Sequence, residues 1–206
     1  MKWRDNFIIC MIVQSVFCIS NMYSEKNSVN YTVYATEVLN TFISEMESEF
    51  NFSCMGSGGG MPYNVRSLTV MFSSNEKVDI VKARYLGVTS VHKLLYLVNN
   101  HEQIRPYLNR YPFTANDINI SISFYDRKGK RNLRRDGLGA IRLLSGTVFY
   151  EVAEMQKVHD PGLICGKTGK FLRAPRETKE IGFKEVLRET YEEAEAIVER
   201  EKQANL

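Results

Sequence analysis

Cysteine is scarce in this chain: four among 206 residues, two of which, Cys10 and Cys18, fall in the first 20. Cys54 and Cys165 are left to make at most one disulfide in the body, so no disulfide framework holds it, and a chain of this length buries a core without one. Long apolar runs are also lacking. The run Phe7 to Ile19, interrupted by Gln14 and Ser15, is too short to cross a bilayer comfortably, and no second run approaches a membrane span. Charge of one sign is missing as well. Against 27 Lys+Arg stand 24 Asp+Glu, a formal net charge of +3 that changes by one unit when Lys2, Arg4 and Asp5 are removed. Such a balance argues against a dedicated nucleic-acid binder. There is no internal repeat and no low-complexity tract.

The amino terminus has the layout of an export signal. Lys2 and Arg4 precede the apolar run, and Cys18 and Ser20 give a small-x-small spacing that places cleavage after Ser20. The organisation read from this is a signal peptide over 1–20, a polar spacer over 21–32 and a single domain over 33–206. An uncleaved anchor and lipidation at Cys18 are the alternatives; Val16 and Phe17 suit the latter poorly. The expected location is exported: periplasmic, envelope-associated or secreted.

The body is organised around Gln103 to Tyr125. Ile118, Ile120, Ile122 and Phe124 alternate with polar residues, the signature of a strand with one buried face, and Pro106 and Pro112 make the connector before it stiff and non-helical. Upstream, Val38, Phe42, Met46 and Phe50 recur every fourth residue, with Leu39 and Ile43 alongside, and predict a helix over 34–50. A glycine-rich loop is expected over 54–62 and a strand over 65–72. A second helix is expected over 77–99, weakened at Gly87 unless close packing requires that glycine. Downstream, Leu138 to Leu144 and Thr147 to Val152 read as a hairpin turning at Ser145 and Gly146. Residues 155–180 lack periodicity and read as a long irregular excursion. Phe183, Val186, Leu187, Thr190, Tyr191, Ala194, Ile197 and Val198 repeat at three and four and predict a last helix with its glutamates outward. The fold class is α+β: a mainly antiparallel sheet of about four strands with three helices on one face.

Several stretches invite chemistry. Clustered glycines can turn backbone amides toward an anion, which makes Gly56, Ser57, Gly58, Gly59 and Gly60 the candidate ligand-binding residues. Met61 breaks G-x-G-x-x-G, however, and a tightly bent connection is the preferred reading. The run from Pro161 to Thr168 is one residue short of a nucleotide-binding loop and continues into glycine and proline where a helix is needed. Arg127, Lys128, Lys130, Arg131, Arg134 and Arg135 form a basic connection that could meet a polyanion and reads as a solvated loop. His92, His101 and His159 lack metal-ligand spacing, and His159 near Cys165 offers only a speculative nucleophile pair. Glu189, Glu192, Glu193 and Glu195 read as the wet side of the last helix. Arg105, Tyr107, Arg110 and Tyr111 are the candidate interaction surface, with packing beneath the second helix as the alternative.

The stretches NNHEQIRPYLNRYPFTANDINISI, CMGSGGGMPYNVRSLTVMF and RETYEEAEAI resemble an uncharacterised family of exported or lipoprotein-like proteins from obligate intracellular bacteria. That family's pattern is I-R-P-Y-L-x-x-Y-P-F-T-x-x-N-I-x-I; Asp117 departs from it by standing between Asn116 and Ile118. The resemblance covers most of Cys54 to Ala196 and implies export in a bacterial cell. It implies no activity, cofactor or catalytic residue.

The expectation is an exported, envelope-associated domain that binds a protein or envelope component, without cofactor, metal or specific nucleic acid, and touches membrane only through its signal or a lipid anchor. The competing expectation is a hydrolase or transferase using Gly56 to Gly60 as an anion site.

Overall fold

A computed structural model describes residues 31–125, 137–161, 163–164, 171–174 and 176–204. The stretch 1–20 expected to be a signal peptide (with Cys18), the basic run 127–135 and Cys165 lie outside the described residues.

The chain is helical over 31–50 (α1), with Tyr31, Ala35, Val38, Leu39, Phe42 and Met46 buried along one stripe. Strand β1 (Ser53–Gly60) turns back to β2 (Ser67–Ser74), and α2 (Ile80–Asn100) crosses over to β3 (Ile118–Phe124). Strands β4 (Ala140–Leu144) and β5 (Thr147–Asp160) form a hairpin; Ser145 and Gly146 take φ of 48° and 79°, the positive angles that a tight hairpin turn demands. Two short strands, β6 (Leu163–Ile164) and β7 (Phe171–Arg173), pair with each other. Strand β8 (Arg176–Thr190) then runs back along β5 and leads into α3 (Tyr191–Ala204).

The main sheet has the order β1-β2-β3-β4-β5-β8. The β2–β3 pair, joined by the α2 crossover, is parallel, and the other four pairings are antiparallel. Six strands rather than about four therefore carry the helices. β3 lies inside the sheet as its alternation predicts, with Ile118, Ile120, Ile122 and Phe124 all buried.

These side chains meet α1, α2 and α3 in one hydrophobic cluster on one side of the sheet. Lys93 reaches Glu49 at 2.8 Å and His101 reaches Glu37 at 3.5 Å, which sets α1 antiparallel to α2. His92 pairs with Glu195 across α2 and α3. At Gly87 α2 packs tightly against β4: an added Cβ would stand 2.8 Å from Ile141 Cδ1. Close packing, not flexibility, explains that glycine. The other side of the sheet carries Thr69, Asn119, Ser121 and Ser123, with Met71 and Leu144 exposed among them.

Three expectations are corrected. The stretch 54–62 is not a loop: Gly56 to Gly60 belong to edge strand β1, in register with β2 from Met71 to Ser67. Residues 155–180 are not irregular throughout, because β5 continues to Asp160 and β8 resumes at Arg176. The last helix begins at Tyr191, and Phe183 to Thr190 are strand. The cause is a β-bulge. Tyr150 faces Leu187 while Glu151 faces Glu185, so Val186 is an extra residue in β8. It converts the two-residue alternation of a strand into the three-and-four spacing of a helix.

Candidate interaction surface

β5 is held between β4 and β8 only from Thr147 to Glu151, where β4 ends its pairing. From Val152 to Asp160 its sole ladder partner among the described residues is β8, Arg176 to Lys184, so the two strands leave the sheet as a ribbon arm. The bulge at Val186 sits at the root of the arm, where added twist redirects a strand. The root is fixed by charge and packing. Glu151, buried, pairs with Arg142, and an added Cβ at Gly139 would come within 2.9 Å of the Ala153 Cβ.

Past the root, among the described residues, the arm has no core of its own. Met155 is 52% exposed, Ile181 42% and Val158 38%. Met155 faces Ile181, Lys157 faces Lys179 and His159 faces Glu177 across the ribbon. Near its end Asp160 receives Arg173 at 2.9 Å and Arg176 at 3.4 Å. At the root, on the helix side, Ile80, Val81, Leu138, Val152 and Val186 line an apolar groove of about 460 Å³. An isolated two-stranded ribbon is marginal in water, and two lysines facing each other weaken it further. A ribbon of this kind displays side chains; it does not bury them.

Most residues singled out in the sequence lie elsewhere, and they do not converge. Gly56 to Gly60 form the opposite edge of the sheet, where a strand ladder splays successive amides apart rather than gathering them. His92 sits on the outer faces of α2 and α3 with Glu195, His101 beside Tyr34 and Glu37, and His159 on the arm. Cys54 is a free, half-buried thiol. Among the described residues no group of three potential metal ligands converges.

The aromatic connector divides in two. Tyr107 packs into the core against Tyr31 and Tyr34, with ring centroids 5.8 and 6.3 Å apart. Arg105 lies over the Tyr111 ring at 4.7 Å, and Arg110 reaches the buried Asp117 at 3.1 Å. Asp117 in turn accepts from the backbone and hydroxyl of Thr114, both at 3.0 Å, and so caps the turn into β3.

Sequence reasoning missed a buried polar cluster beneath α2. Glu189, expected on the wet side of a helix, lies on β8 facing inward and accepts from Arg84 Nε at 2.7 Å and Nη2 at 3.1 Å, and from the Tyr150 hydroxyl. Burial, reinforced by the neighbouring Glu189 carboxylate, pushes the Tyr150 hydroxyl pKa well up; the hydrogen bond to Glu189 does the same for Arg84. Beside Arg84 and Tyr150 the core encloses only about 10 Å³, room for one water at most. The cluster ties α2 to β8 and leaves no space for a substrate. Comparison with protein-family models, with curated proteins and with solved structures finds no match for this chain.

Proposed function

We propose that this protein is an exported interaction domain of the bacterial envelope whose contact element is the β5–β8 arm. The observation that carries this reading is the arm itself: it projects past the last β4 pairing and leaves Met155, Val158 and Ile181 exposed, with no core beneath its strands among the described residues. Exposed apolar side chains on a regular backbone with a free edge are what strand addition uses, since main-chain bonds supply affinity and alternate side chains supply specificity. The amino-terminal signal pattern and the resemblance to exported bacterial proteins support the location.

The reading is tested by installing a photo-activatable cross-linking side chain at Ile181 and, as a control, at Tyr96, which is 70% exposed on α2. Irradiation in the native cell is expected to give a discrete covalent adduct from position 181 and none from position 96. A folded, exported protein that yields no adduct from position 181 contradicts it.

A further inference from the structure

Among the described residues no strand lies beside the outer edge of β8. A free edge this long is ordinarily blunted by lysines, and β8 carries Lys179 and Lys184 there. Each of them, however, has a carboxylate at its mirror position about Gly182. The stretch reads Lys179, Glu180, Ile181, Gly182, Phe183, Lys184, Glu185. When two copies run antiparallel about a two-fold axis at Gly182, Lys179 faces Glu185 of the second copy, Glu180 faces Lys184, and Ile181 faces Phe183. By symmetry every pair occurs twice.

The neighbouring registers lose this match. Moving the axis one residue toward the arm tip, to Ile181, sets Glu177 against Glu185 and Lys179 against Phe183; moving it one residue the other way, to Phe183, sets Ile181 against Glu185, Lys184 against Gly182 and Glu180 against Val186. Both shifts leave the lysines without an opposed carboxylate, and the first sets like charges directly opposite each other, which is destabilising on a sheet, so the register about Gly182 is favoured over its neighbours. Among the described residues Lys179, Glu180 and Lys184 have no ion-pair partner, while Glu185 pairs with Arg188 at 2.8 Å.

Side-chain rows agree with the charges. Ala153 faces Phe183 and Met155 faces Ile181 within one arm. Pairing about Gly182 extends each row across four strands, so that Met155 and Ile181 of one copy adjoin Phe183 and Ala153 of the other. The exposed Met155 and Ile181 thereby gain apolar neighbours. The bulge at Val186 ends regular pairing just beyond Glu185.

We propose that β8 pairs antiparallel with β8 of a second copy about Gly182, joining the two arms into one four-stranded ribbon. This rests on the arm being the contact element and names its partner as the same chain.

The test uses charge variants of the full chain in sedimentation velocity, with circular dichroism to confirm the fold. The variant K179E/K184E makes the stretch acidic at all four charged positions, and E180K/E185K makes it basic at all four. The unchanged protein is expected to sediment as two chains, each variant as one chain, and an equimolar mixture of the variants as a two-chain species holding one of each. The proposal is overturned if the unchanged protein stays a single chain at every concentration, if either variant self-associates like the parent, or if the mixture stays as single chains. An adduct from position 181 to a different protein, with the unchanged protein sedimenting as one chain, removes the second-copy partner while the arm remains the contact element.

Discussion

Arg84 of α2 grips Glu189 of β8 with two hydrogen bonds of 2.7 and 3.1 Å, and both side chains are about nine-tenths buried. Their separation in sequence is 105 residues, so this one contact locks the crossover helix onto the strand that carries the arm. Removing one partner leaves the other charge buried and unpaired. Arg84→Ala or Glu189→Ala is expected to destabilise the protein by about 3–5 kcal/mol, and replacing both by apolar residues of similar size by much less. Urea unfolding of the two single variants and the Arg84→Met/Glu189→Leu double variant measures the difference. Equal losses in singles and double contradict the pairing.

The same cluster predicts an alkaline limit to stability. Burial raises the pKa of Tyr150, with Glu189 adding to it, and burial raises that of Tyr191, with Glu195 adding to it. In the unfolded chain a tyrosine ionises near pH ~10. Above that pH the unfolded state releases a proton that the folded state retains, so this stability is complete below about pH 10 and falls as pH rises toward the folded pKa. Thermal unfolding between pH 8 and 11 is expected to show a falling midpoint, with a shallower fall in Tyr150→Phe. An identical slope in the two proteins removes Tyr150 as a cause.

Gly87→Ala opposes two effects of known sign. Alanine favours the helix by about 1 kcal/mol over glycine, whereas overfilling a packed core costs about 1–3 kcal/mol. With Ile141 Cδ1 only 2.8 Å from the new Cβ, overfilling is expected to win. A lowered unfolding midpoint for Gly87→Ala, restored by Ile141→Val in the same chain, checks this.

Most of the central sheet was legible because its strands have one wet and one dry face. Ile118 to Phe124 alternates without interruption, and so does its neighbour from Leu68 to Phe72. The arm was not legible, for the opposite reason: from Met155 to Asp160 and Arg176 to Gly182 neither face is buried, so no period is imposed on the side chains. Val186 hid the rest of β8, since one extra residue turns alternation into an apparent helix. The glycines of β1 hid that strand because they carry no side chain to show a pattern. Arg84 escaped because a single charge on an otherwise apolar helix face leaves no spacing to recognise.

One signal was present in the sequence and marks the true start of α3. Thr190 and Glu193 have the spacing of a capping box, and both bonds form: Glu193 N donates to Thr190 Oγ1 at 3.2 Å, and Thr190 N donates to the Glu193 carboxylate at 2.8 Å. Thr190→Ala is expected to cost about 1 kcal/mol, and Thr190→Asp to retain most of the stability. Chemical denaturation compares them; equal losses from both changes contradict a capping role.

If the outer edge of β8 is a docking strand, its outward amides are covered, and amide hydrogen exchange from Lys179 to Lys184 reads that cover. An unpartnered edge leaves the outward amides open to water at every protein concentration. Pairing between two copies gives protection in this stretch that grows with concentration and vanishes in K179E/K184E, while β3 stays protected throughout. Fast, concentration-independent exchange along the edge, in a protein whose β3 amides remain protected, would contradict it.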